Sequence, residues 1–135
     1  MRVLVEEHIS EYLKKCFEIR EFADEKNLSE RELSLICNLP KSNIHRMLQI
    51  TKLPSRVLDH AIKKNTQRWI LYKLTTCIDD KELFNNVVKE WMETNITQHK
   101  QLCSIIKVYK VERFIQAVTN VERKASLLHI HGSEK

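Results

Sequence analysis

Between positions 41 and 49 the chain carries six hydrogen-bonding side chains suited to reading a polyanion: Lys41, Ser42, Asn43, His45, Arg46 and Gln49. An arginine guanidinium presents paired donors that match the acceptors of guanine, and a glutamine amide matches adenine. Ser42 and Asn43 are short polar groups suited to phosphate or base-edge hydrogen bonds. Lys41 stands at an expected helix start, where backbone N–H groups also favour phosphate. His45 carries little weight alone, since an exposed histidine is usually unremarkable.

The surrounding segment has the same sign. From Lys41 to Lys73 lie eight basic side chains, among them Lys52, Lys63, Lys64 and Arg68, and one acid, Asp59, a net of +7. The remaining 15 basic and 17 acidic residues give −2, within an overall +5. Such a basic block fits a polyanion, most often nucleic acid. It also fits a solvated face whose charge is balanced by acids brought close on folding.

The elements that must position these groups are helices. One Gly and two Pro in 135 residues are too few for an all-β or linker-like chain. At 42% hydrophobic and 30% charged, the length suits one compact domain. No apolar run approaches the ~18 residues of a membrane span, and the N-terminus turns acidic too soon for a signal peptide. The four Cys, at 16, 37, 77 and 103, lack metal-ligand spacing and sit among apolar neighbours. They read as reduced, buried small hydrophobes of a cytosolic protein. No paired carboxylates, nucleophile with base, or metal cluster stands at usable spacing, so no enzyme, metal or cofactor is expected.

Apolar periodicity predicts a helix over 3–26, with Val5, Ile9, Tyr12, Cys16, Ile19 and Ala23 at steps of three and four. Ser29 with Glu32 forms a capping-box signature for a helix over 30–37, which Asn38 ends in a left-handed conformation. Pro40 opens a helix running to about 51, and Leu53-Pro54-Ser55 breaks it. Helices about 55–63, 67–77 and 80–93 follow. Asn95-Ile96-Thr97 is a break and cap before a last helical stretch, about 98–128, in one or two pieces. Residues 1–104 read as one helical domain, 105–130 as a C-terminal helix and 131–135 as a disordered tail.

Residues 30–49 fit a helix-turn-helix. Counting from Glu30, the positions that motif needs apolar are Leu33, Cys37, Leu39, Ile44 and Met47, all expected in the core. Ser34 is the small residue where the helices touch, and Asn38 takes the turn position that prefers positive φ. The second helix of such a motif enters the major groove, so Lys41, Ser42, Asn43, His45, Arg46 and Gln49 are expected to point outward.

Three runs then resemble the central DNA-binding domain of the ParB/KorB partition proteins: Leu28-Ser29-Glu30-Arg31-Glu32-Leu33, Asn38-Leu39-Pro40-Lys41-Ser42-Asn43-Ile44, and Leu48-Gln49-Ile50-Thr51-Lys52-Leu53-Pro54. Looser likeness continues through Thr66–Leu74 and Asn95–His99 and covers about residues 10–107. The resemblance implies an all-α, multi-helix helix-turn-helix DNA-binding domain, here with a C-terminal helical extension. It implies binding to a short operator- or centromere-like duplex, commonly as a dimer, in plasmid or chromosome partition or transcription regulation. A cytoplasmic location on nucleoid or plasmid follows. By position Lys41, Ser42, Asn43 and Arg46 fall on the recognition helix, with Lys63, Lys64 and Arg68 on supporting helices near the DNA backbone. The family's arginine-containing phosphate motif has no counterpart here, so CTP binding and sliding-clamp behaviour do not carry over. The chain is expected to be a stand-alone protein of this type or a piece of a longer one.

Two alternatives stay open. A helical adaptor could use the same basic face on an acidic protein partner. In 105–128, Val108, Val111, Ile115, Val118 and Ala125 form one stripe, interrupted by Glu122, with Phe114, Val121 and Leu128 beside it. That face is wider than a lone surface helix needs; it either packs on the domain's own core or forms the seam of a homodimer reading a palindromic site.

Overall fold

The computed structural model describes residues 7–94 and 96–133, with side chains to 126. The described residues form seven α-helices and no strand: α1 (Ile9–Lys26), α2 (Glu30–Cys37), α3 (Lys41–Ile50), α4 (Ser55–Lys64), α5 (Arg68–Thr75), α6 (Lys81–Thr94) and α7 (His99–Ser133). The fold is all-α. Among the described residues no helix is long and apolar enough to cross a membrane.

Local chemistry sets the boundaries. Asn27, Asn38 and Asn65 end α1, α2 and α4 in the left-handed region, at φ of 52°, 55° and 49°. Their backbone N–H groups return to the Ala23, Ser34 and Ala61 carbonyls. Asparagine tolerates this conformation, and the chain's one glycine lies at 132. The capping box at α2 is formed: the Glu32 N–H donates to Ser29 Oγ at 3.2 Å, and the Ser29 N–H to Glu32 Oε1 at 3.3 Å. Pro40 and Pro54 stand one residue ahead of α3 and α4.

The expected start of the first helix shifts. Residues 1–6, including Val5, lie outside the described residues, and α1 begins at Ile9. The His8 backbone is extended there, and its ring accepts from the Ser10 N–H at 3.1 Å, which caps the helix at this point. At the other end α7 is one helix to Ser133, so 131–133 are helical rather than a disordered tail; 134–135 lie outside the described residues, as does Asn95. Gln98 starts α7, its carbonyl accepting from the Gln101 and Leu102 N–H groups.

Two apolar clusters share two helices. The smaller gathers Ala23 of α1, Leu33 of α2 and Ile44 of α3. The larger joins Ile9 and Leu13 of α1 and Ile50 of α3 to α4, α5, α6 and the first part of α7, around the fully buried Trp91. Helices α1 and α3 thus contribute to both. Of the five positions expected in the core of 30–49, Leu33, Ile44 and Met47 are buried. Cys37 and Leu39 are half-buried at the rim of the smaller cluster, beside the turn that α2 and α3 leave open. Cys16 and Cys77 are buried, Cys37 and Cys103 half-buried, and all four are free thiols.

Helix α7 is rooted by Leu102 and Ile106, both buried in the larger cluster. Arg113 closes the root, donating to Glu82 Oε2 at 2.8 Å and to Asp80 Oδ2 at 3.4 Å. From Phe114 to Ser126 every side chain is exposed.

Asp80 also starts α6, its Oδ1 accepting from the Leu83 N–H at 3.2 Å. That N–H first, and then Arg113, hold the carboxyl below its ordinary 3.8 against a desolvation that raises it. A carboxyl lowered on folding contributes stability above its unfolded value and loses it as pH falls through the folded one. The melting temperature therefore falls on acidification below about pH 4. Asp80→Asn, which keeps a cap but not the charge, should remove part of that fall; equal acid sensitivity in both proteins contradicts this role.

Candidate nucleic-acid interface

Helix α3 packs against α1, α2 and α5, with Ile44, Met47 and Ile50 as its buried ridge. The remaining polar residues divide into two lines at steps of three and four, and Leu48 packs on the smaller cluster. Ser42, His45 and Gln49 form the line opposite the ridge, with Lys41 and Lys52 beside it. Lys41, Ser42, His45 and Lys52 are exposed and Gln49 half-exposed. No side chain caps the start of α3, which leaves its first N–H groups for an anion. His45 Nδ1 lies 2.9 Å from Glu30 Oε2, tying this line to α2.

Asn43 and Arg46 form the second line, on the flank that turns toward α5. The Arg46 guanidinium lies 4.8 Å from the Trp69 ring centroid and 5.3 Å from that of Tyr72. Arg68 stacks similarly on Tyr12, at 5.2 Å. These side chains line one cleft of about 200 Å³, with Asn43 at its edge. A guanidinium over an aromatic face is attracted by the ring quadrupole while its N–H edge stays free for an acceptor. Arg46 is thus half-buried and oriented sideways rather than projecting freely from α3.

Sharing Tyr12, Arg68 and Trp69, a second hollow continues the cleft along Asn65, Thr66 and Gln67. Lys64 lines the next hollow, which includes the same three residues and His60. Asn65 Oδ1 accepts from the Ile9 N–H at 2.9 Å and fixes this corner to the start of α1. The structure thus brings Asn43, Arg46, Arg68 and Lys64 onto one concave track. Lys41, Ser42, His45, Gln49 and Lys52 form the adjoining convex line, and Lys63 lines neither cleft.

Electrostatics follow burial and charge. Among the described residues the salt bridges of Lys and Arg join Lys15 to Glu7, Arg20 to Asp24, and Arg113 to Asp80 and Glu82. None involves any of the eight basic side chains from Lys41 to Lys73, although Glu7 lines the cleft with Arg46 and Arg68 and Glu30 contacts His45. Burial first, then Lys64 and Lys63, push the His60 imidazole below its ordinary 6.5 and keep it neutral at pH 7. Burial chiefly pushes the Tyr12 phenol up to about 12, against the pull of Arg68. It does the same to the Cys16 thiol, also to about 12, which keeps it unreactive.

The aromatic members Tyr12, Trp69 and Tyr72 are not among the binding residues expected from the sequence, where Tyr12 was placed only on the apolar stripe of the first helix. The available signal was Trp69, a large aromatic beside Arg68 in a basic segment; it is 45% exposed. No family model, curated protein or solved structure matches the chain. Among the described residues no group of three His, Cys, Asp or Glu could hold a metal ion.

The stacking should be measurable without any ligand. A double-mutant cycle of Arg46→Leu and Trp69→Leu, read by urea unfolding, is expected to give a coupling of about 0.5–1 kcal/mol. A coupling indistinguishable from zero contradicts the aromatic seat for Arg46.

Proposed function

We propose that the chain is a sequence-specific double-stranded-DNA-binding protein whose residues 30–49 act as a helix-turn-helix of the ParB/KorB type. Its setting is plasmid or chromosome partition or transcription regulation. The observation that carries this reading is the basic block from Lys41 to Lys73, whose Lys and Arg side chains form no salt bridge among the described residues, beside the exposed line of α3. A surface whose Lys and Arg side chains are not tied up in salt bridges suits the phosphates of a duplex, and binding there releases counterions.

The roles divide by placement. Ser42, His45 and Gln49 face outward along α3 and are the groups for base edges, with Lys41 and the open helix start for a phosphate. Arg46 and Asn43 reach from the flank, with Trp69 and Tyr72 positioning the Arg46 guanidinium before any ligand arrives. That pre-organisation lowers the side-chain entropy lost on binding. Arg68 and Lys64 extend the phosphate track, and Lys52 and Lys63 add charge at its margins.

In-vitro selection from a random duplex library is the direct test, with enrichment of a short motif expected; a library that stays random rejects sequence-specific binding. On the recovered site, Arg46→Ala is expected to weaken binding by roughly 1–3 kcal/mol and relax preference at one base. An equal loss on random duplex contradicts base reading. Lys64→Ala should weaken all sequences alike and flatten the slope of log affinity against log salt by about one unit. An unchanged slope removes Lys64 from the phosphate track.

A further inference from the structure

Among the described residues, nothing covers one apolar face of α7. Val108, Val111, Phe114, Ile115, Val118 and Val121 are 56%, 50%, 69%, 58%, 38% and 65% exposed. They present on the order of 500 Å² of apolar surface in one patch, near the upper end of about 300–600 Å² for the largest patch on a monomer. We infer that this face is the seam of a parallel, two-stranded coiled coil formed with a second copy of the chain. The inference stands apart from the DNA reading and is testable without DNA.

Three observations select a second copy as the occupant. First, the spacing is the seven-residue repeat of helix pairing rather than the drift of a surface helix. Val111, Val118 and Ala125 fall at the first core position of each heptad, and Phe114 and Val121 at the other. An identical helix offers the same repeat in return. Second, the area suffices. Two such patches together bring on the order of 1,000 Å², where specific interfaces begin.

Third, the flanking charges choose the orientation. In this register Lys110, Ala117 and Lys124 precede the first core position, and Val108, Ile115 and Glu122 follow the second. Parallel pairing sets Lys110 against Ile115 of the second copy and Ala117 against its Glu122, with no like charges opposed. Antiparallel pairing sets Lys110 against Lys124 of the second copy, twice. Leu102, Ile106 and Arg113 hold α7 to the body by the opposite face of the helix, so the seam forms without disturbing either core.

Sedimentation equilibrium of the full chain, without DNA, tests the seam. The wild type is expected to dimerise in the micromolar range. Val118→Lys and Val121→Lys should each raise the dissociation constant roughly 100-fold. Their helical circular dichroism and refolding should persist, because neither side chain contributes to the cores. Orientation is read by disulfide trapping against the background of the native cysteines. Val118→Cys, facing its own copy across a parallel seam, should cross-link, whereas Gln116→Cys, on the outer side of the helix, should not. A monomer at all these concentrations overturns the inference, as does a dimer indifferent to both lysine variants. Equal trapping at 116 and 118 overturns it too.

Discussion

The packing of α3 between α1, α2 and α5 governs what this molecule can present. Ile44 belongs to the smaller apolar cluster and Ile50 to the larger, so one ten-residue helix is locked into both cores. A helix held on three sides cannot rotate without breaking close-packed contacts at both ends, and such contacts tolerate little change. That rigidity decides which polar side chains face solvent: Ser42, His45 and Gln49 by default, Asn43 and Arg46 on the flank. Any ligand chemistry at this surface is therefore set by the buried ridge rather than by the polar residues themselves.

The flank shows how a cation is held without a carboxylate. Arg46 rests on two aromatic rings and Arg68 on a third. A carboxylate would have fixed each guanidinium equally well, but it would have cancelled the charge and occupied the donors. An aromatic face fixes position and leaves both intact. Concentrating positive charge in one region costs stability through self-repulsion, and Lys64 and Lys63 add to the burial that chiefly lowers the His60 imidazole. A polyanion bound there relieves that repulsion, so the same arrangement that weakens the free fold strengthens the proposed complex.

What the sequence made legible was mostly local. Helix α2 fell within its expected bounds because Ser29, Glu32 and Asn38 each supply a specific backbone partner. Asn38 in the turn was legible because few residues other than glycine adopt positive φ at low cost. The start of α1 was not, since periodicity continues through Val5 whereas capping by His8 and Ser10 sets the boundary. Cys37 and Leu39 read as core but lie at a rim, because a motif template counts apolar positions without knowing how far the neighbouring helices extend. Arg46 read as outward-pointing for a related reason. Its position on α3 is a matter of local spacing, but its seat on Trp69 depends on α5, 23 residues on, and no periodicity reports a contact of that kind.

The C-terminal helix shows the same limit from the other side. Its apolar stripe was visible in the sequence, yet spacing alone left two destinations, the domain's own core or a second copy. The fold resolves where the first destination ends. Leu102 and Ile106 reach the larger cluster, Arg113 clamps onto α6, and from Phe114 to Ser126 every described side chain is exposed. From Arg113 to Ser133 the helix continues for about 30 Å at 1.5 Å per residue. A rod of that length, rigidly rooted in the domain that carries α3, converts pairing of two rods into a fixed separation between two α3 helices. Where a duplex offers its grooves one helical turn apart, about 34–36 Å, fixed separation is itself a form of recognition. A dimer so spaced would reject half-sites at the wrong spacing however well each one fitted α3. The two proposals are therefore separable in experiment but complementary in physics: together they would have α3 set what is read and α7 how far apart.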